Sequence, residues 1–143
     1  KEYREYHSLI TVNRISSFQK LSSIKNNIAS TGCLNDNGWI GEQALLIRYD
    51  PQGNAILIVG CLHPGLKIFM QKSQNFGIVK KLFGGIHGFK DVNYVQNTEI
   101  SELFLGHCTK HGNLFMKNKE LKVNLLHVGF RLTLKWWNLP IFP

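Results

Sequence analysis

The sequence predicts an α/β fold, and three observations point there. The run AILIVG, residues 55–60, is apolar and rich in β-branched side chains, as a strand buried on both faces requires. Leu66, Phe69 and Met70 then recur at helical spacing. His63, His87 and His107 each fall just after a predicted strand, the end of an α/β sheet at which ligands collect.

The elements follow in chain order. SLITVN, residues 8–13, reads as a strand. Ile15, Phe18, Leu21, Ile24 and Ile28 recur at helical spacing, so a helix is expected over 15–28. The Gly-, Asn-, Ser- and Thr-rich stretch 27–42 reads as a loop. QALLIRY, 43–49, is a strand, and the turn residues of DPQGN join it to 55–60 as a β-hairpin. Pro64 suits the first turn of a helix expected over 64–75. IVKKLFGG, 78–85, is a strand ending in paired glycines, and ISELFLGHC, 100–108, alternates and ends at a histidine and a cysteine. A short helix is expected over 111–118, and VNLLHVGFRLTL, 123–134, makes one strand or two. His127, inside that last apolar run, reads as a packing residue, and His111 as an exposed loop residue.

The 143 residues are expected to form one domain, 1–143. The net charge of +8 raises nucleic acid or phosphate as a partner. The basic residues are scattered, however, with Lys80–Lys81 and Lys117, Lys119 and Lys122 the densest spots, so a nucleic-acid-binding domain is a lesser alternative resting on charge alone. No apolar run is long enough to span a membrane, and KEYREYHS does not read as a secretory signal. Cys33, Cys61 and Cys108 include no C-x-x-C pair, which argues against a disulfide framework and for a reducing, cytoplasmic compartment.

The chemistry lies in GCLHPG, residues 60–65, and its counterparts. Zinc accepts imidazole nitrogen, thiolate sulfur and carboxylate oxygen, so His63, His87, His107 and Cys61 can supply a ligand set if the strand ends converge. The alternative is that each histidine caps a strand end by hydrogen bonding to the backbone. The amides of GGIHG, notably at Gly84 and Gly85, can cradle a phosphate or carboxylate. No nucleophile elbow, Walker loop or dinucleotide fingerprint occurs. Asp36, Glu42, Asp50, Asp91, Glu99 and Glu102 form no recognisable acid–base pair.

Several segments taken in order resemble a known family. GNAILIVGCLHPG, KLFGGIHGF, ELFLGHCTK and LLHVGFRLTL follow one another as do the G-C-S-H-x-G, G-G-F-H-L, H-C-T-G and final V-G segments of a metal-dependent hydrolase branch of the metallo-β-lactamase superfamily. GEQALLI resembles that branch's D-E/D-Q-A-L strand, and ITVNRISSF its G-x-I-P-R-x-x-x-F segment. The resemblance covers about residues 10–134. It implies half of an αββα sandwich: a mixed sheet with helices on one face and a metal site at one sheet edge. His63 and His107 match metal ligands, Cys61 is an additional candidate ligand, and His87 lies toward the substrate side with Gly84, Gly85 and Lys110. The branch includes relatives of a pterin-pathway phosphate synthase, which implies phosphate-bearing or heterocyclic substrates.

This sequence departs from the pattern at telling places. The superfamily's H-x-H-x-D-H ligand motif is absent, so the chain reads as the C-terminal half of the fold. H-C-T-G is here H-C-T-K, which puts the Lys110 cation where a glycine allows close approach, and G-G-F-H-L is here G-G-I-H-G. The expected protein is therefore a hydrolase-related domain, with zinc as the candidate metal, weakly active or inactive alone. The main alternative is a non-catalytic remnant that binds a ligand or partner. Half a sandwich leaves an apolar sheet face, which implies a homodimer or a partner carrying the missing half, with Phe83, Phe104, Trp136 and Trp137 as candidate contacts.

Overall fold

The computed structural model describes residues 17–20, 27–35 and 41–134. The strand expected over 8–13, together with Trp136 and Trp137, lies outside them. The described strands are β1 (Gln19–Lys20), β2 (Ile28–Ser30), β3 (Leu45–Arg48), β4 (Asn54–Ile58), β5 (Ile78–Gly84), β6 (Glu102–Leu105) and β7 (Lys122–Leu125). The described helices are α1 (Leu66–Ser73), α2 (Val92–Gln96) and α3 (Gly112–Met116). The strands form one sheet in sequential order, β1 to β7. β1 to β4 pair antiparallel, and β4 to β7 pair parallel.

The hairpin is closed by its turn chemistry. Asp50 Oδ1 accepts the Asn54 N–H at 2.9 Å, and the Asp50 carbonyl accepts the Gly53 N–H at 3.2 Å. Beyond β4 each parallel step needs a crossover, and each crossover carries one of the helices. All three steps run the same way across the sheet, so right-handed crossovers put all three helices on one face. The packing agrees: Leu66 and Phe69 of α1, Val95 of α2 and Phe115 of α3 share one buried cluster with Leu57, Leu82 and Leu103 of the strands.

A register shift at Ala55/Ile56 tunes that face. Ala55 pairs with Val79 and Ile56 with Lys81, so Lys80 has no partner on β4. Val79 and Leu82, three apart, therefore both reach the helical side, as their burial in the core shows. On the other side run Ile56, Lys81, Glu102 and Lys122 in one cross-strand row and Ile58, Phe83, Phe104 and Asn124 in the next. Phe83 stacks on Phe104 at 3.9 Å between ring centroids, and Phe130 meets Phe104 edge-on at 5.6 Å.

The structure corrects some local expectations. Gln19–Lys20 and Ile28–Ser30 are strands, where the sequence predicts a helix over 15–28 and a loop over 27–42. The apolar spacing there serves an antiparallel ladder, with Ala29 completely buried against the core. Pro64 precedes the Gly65 N-cap of α1 instead of sitting in its first turn. α2 was not legible as a helix; Asp91 begins it by accepting the Tyr94 N–H at 2.9 Å. β7 stops at Leu125, so His127 is not a strand residue: it is exposed, with Nδ1 3.0 Å from the Val128 carbonyl. His111 is half-buried at the N-cap of α3.

Candidate functional site

Because β4, β5 and β6 are adjacent and parallel, their carboxyl ends lie on one sheet edge. Gly60–Gly65 leaves the end of β4, Gly85–Gly88 the end of β5, and Gly106–Lys110 the end of β6. The topology alone thus brings Cys61, His63, His87, His107 and Cys108 to neighbouring loops.

The loop after β4 is organised by Glu42. Extending the hairpin register Leu45↔Ile58 sets Glu42 opposite Cys61. Its Oε1 accepts the N–H groups of Gly60, Cys61 and Leu62 at 3.0, 3.0 and 2.9 Å. Its Oε2 accepts the His63 N–H at 3.0 Å and stands 3.0 Å from His63 Nδ1. Burial pushes the Glu42 carboxyl up. The hydrogen bonds from the Leu62 and His63 amides, the His63 ring and the Cys61 amide outweigh this and hold it below the usual carboxylate range. Wrapping four successive amides around one carboxylate bends the chain sharply, and Leu62 takes a left-handed backbone, φ 63°. With Nδ1–H donated to Glu42, His63 keeps Nε2 as a free acceptor.

His63 faces His87 at 4.8 Å between ring centroids. His87 is exposed and also left-handed, φ 42°, a conformation rare for a non-glycine residue and concentrated at functional loops. The Lys110 N–H donates to the His87 carbonyl at 2.9 Å, and the Ile86 N–H to Thr109 Oγ1 at 3.4 Å, tying the β5 loop to the β6 loop. Lys110 itself is exposed.

Loops from β4 and β6 meet across the end of β5 because that end has no side chains. A Cβ on Gly84 would lie 2.1 Å from the Val59 carbonyl oxygen, and one on Gly85 would lie 2.1 Å from Cys108 Sγ. Over this gap Cys61 Sγ stands 3.3 Å from His107 Nε2. The donor atoms of Cys61, His107 and Cys108 all lie within 4.8 Å of one another; among the described residues these three are the set close enough to hold one ion. The hydrogen bond between the Cys108 and Cys61 thiols, with burial and the nearby Glu42 charge, pushes the Cys61 thiol up.

Of the residues marked from sequence, His63, His87, His107, Cys61, Gly84 and Gly85 gather at this edge. The set close enough for one ion joins His107 to Cys61, 3.3 Å away, and to Cys108, and does not include His63. Sequence reasoning missed two members. Glu42 was visible in the hairpin register, which places it against GCLHPG, and Cys108 in its adjacency to His107. The donors fit the metal that the family resemblance implies: thiolate sulfur and imidazole nitrogen bind zinc at about 2.0–2.3 Å, so two ligands on one ion lie roughly 3–4 Å apart.

The mixed sheet with its helices on one face is a metallo-β-lactamase-like α/β fold. Among solved structures that share it is the crystal structure of a metal-dependent hydrolase of the β-lactamase superfamily, with a TM-score of 0.64 and 19% sequence identity. The match covers 87% of this chain and 58% of that one, so the chain spans less than two thirds of that protein's length. No protein-family model and no curated protein matches the sequence. Among the described residues no helix is long and apolar enough to cross a membrane.

Proposed function

We propose that the chain is a metal-dependent hydrolase-related domain whose metal sits at the shared edge of β4, β5 and β6. The observation that carries this reading is the approach of Cys61 Sγ to His107 Nε2, 3.3 Å apart across the glycine end of β5, beside the Glu42-bound His63. A zinc ion held by Cys61 and His107 would supply Lewis-acid chemistry for hydrolysis. Glu42 fixes the tautomer of His63 and leaves Nε2 as its acceptor nitrogen. His87, on the neighbouring loop, is placed to contact substrate. Lys110 and the amides of the Gly84–Gly85 turn suit a phosphate- or carboxylate-bearing substrate.

The sequence contains no H-x-H-x-D-H segment, so these residues alone supply a partial ligand set and turnover by this chain is expected to be slow. That favours a second reading, a non-catalytic ligand- or partner-binding domain. Assembly belongs to either reading. Ile47 and Ile58 are half-buried on the sheet face away from the helices, which supports a second copy or an H-x-H-x-D-H-bearing partner there. Light scattering at micromolar concentration tests association: a monomer mass that persists on concentration removes the homodimer.

The activity test is hydrolysis of a panel of phosphodiesters and lactones by the zinc-loaded full chain. Slow zinc-dependent turnover lost in His107→Ala supports the hydrolytic reading. Bound zinc with no turnover above buffer on any substrate overturns it in favour of the non-catalytic one.

A further inference from the structure

We propose that the metal at this edge is held chiefly by sulfur: Cys61, Cys108 and His107 form a two-thiolate, one-imidazole site for a single soft metal ion of the zinc class. The proposal rests on the reading above in placing a metal at this edge and goes beyond it in the donor set, which adds Cys108 to Cys61 and His107 and leaves His63 out.

Three independent features converge on it. The first is distance. The donor atoms of these residues lie within 4.8 Å of one another, and the Cys61–His107 separation of 3.3 Å is already that of two ligands on one tetrahedral ion. The second is the space made for sulfur. Gly85 leaves room for Cys108 Sγ where any side chain would collide at 2.1 Å, so the end of β5 is shaped around that thiol. The third is the position of the neighbouring imidazole. His63, held through Nδ1 by Glu42 with its ring tilted 46° to that of His87, falls outside the mutual set.

The donor chemistry selects the ion. Thiolates favour zinc and other soft ions over magnesium, calcium and manganese, which prefer oxygen. Binding releases one proton from each thiol and leaves a neutral assembly of one divalent ion with two thiolates. Three protein ligands leave the fourth tetrahedral position open, the pattern of a site that takes a further ligand rather than a closed structural one. His107 is exposed and both cysteines are half-buried, so that position is reachable from solvent.

The test uses the reduced full chain with zinc and cobalt(II) as probes. One equivalent of zinc is expected to shield two thiols from a thiol reagent and leave the exposed Cys33 reactive. Cobalt(II) is expected to give an intense near-ultraviolet sulfur-to-cobalt band. Cys61→Ser and Cys108→Ser should each weaken metal affinity by more than about 100-fold, beyond the 10–100-fold typical of residues that only support a ligand. His63→Ala should leave the cobalt band in place. Equal reactivity of all the thiols with and without zinc overturns the proposal without needing a variant. So does cobalt binding that lacks the sulfur band, or binding that survives both serine variants and is lost in His63→Ala. The two readings fail separately. A sulfur–cobalt band without hydrolysis sinks the hydrolase and leaves this site standing. Hydrolysis that persists in both serine variants does the reverse.

Discussion

His63 Nδ1 lies 3.0 Å from Glu42 Oε2, and the same carboxylate receives the main-chain N–H groups of Gly60, Cys61, Leu62 and His63. One side chain just ahead of β3 thus sets both the path of the loop that follows β4 and the tautomer of its histidine. Glu42→Gln keeps the shape but offers one acceptor oxygen and turns an amide donor toward amide donors. Hydrogen bonds to charged groups contribute about 1.5–3 kcal/mol each, and a buried donor left unpaired costs about 1–3 kcal/mol. The variant is expected to lose roughly 2–3 kcal/mol of stability, read as a lower urea midpoint at unchanged m-value. An unchanged midpoint would mean that the carboxylate does not organise the loop.

Acid should undo the same contact. The folded carboxyl of Glu42 is held below the usual range, so between its folded and unfolded pKa values the unfolded chain binds more protons and stability rises with pH. The contribution is complete above the ordinary glutamate value of about 4.3 and disappears as pH falls through the lowered folded value. The gap in unfolding free energy between wild type and Glu42→Gln is expected to be flat at neutral pH and to shrink below about pH 4. A gap that widens on acidification contradicts the assignment.

Gly85→Ala tests the convergence of the loops. The added Cβ meets Cys108 Sγ at 2.1 Å and the Gly60 carbonyl oxygen at 3.0 Å, and neither can move without shifting the site. Overpacking of this kind costs about 1–3 kcal/mol, and zinc retention should fall with it. Gly88→Ala, whose Cβ meets nothing within 4 Å, is the matched control and should change neither. Equal zinc retention by the two variants would show that the glycine end of β5 is not shaped around Cys108.

The β3–β4 hairpin, α1, β5 and α3 were legible because each carries a local signal: turn residues between apolar runs, a helical apolar period, or glycines at a strand end. The placement of His63, His87 and His107 at one edge was legible for the same reason, since consecutive parallel strands point their carboxyl ends alike. β1 and β2 were not. The apolar residues around them fit a helical period as well as a strand, and the antiparallel pairing of Ala29 with Leu46 shows that β2 is a strand. Glu42 and Cys108 carried weaker signals, the hairpin register for one and adjacency to His107 for the other. Neither signal says by itself which groups of a neighbouring loop the side chain meets. His127 sits in an apolar run whose strand ends at Leu125, so the pattern extended past the element that carried it.

Glu99 and Glu102 offer a last comparison, because they face neighbouring lysines in different surroundings. Glu99 pairs with Lys80 at 2.6 Å, but its side chain is 70% exposed. Glu102 lies on the sheet face away from the helices with its side chain only 9% exposed, and takes Lys81, Lys122 and the Asn124 amide together. Burial raises its carboxyl, and the hydrogen bonds and charges of Lys122 and Lys81 reverse that and hold it below the usual range. Water can replace the partner of an exposed pair, so Glu99→Gln should leave the unfolding midpoint where it is. Glu102→Gln leaves Lys81, 22% exposed, without its counter-charge and breaks a network that joins β5, β6 and β7. A loss of about 1–3 kcal/mol is expected, scaled down from the 3–5 typical of fully buried pairs because Lys122 remains solvated. Equal midpoints for the two variants would show that the second face of the sheet is wet enough to make Glu102 an ordinary surface charge.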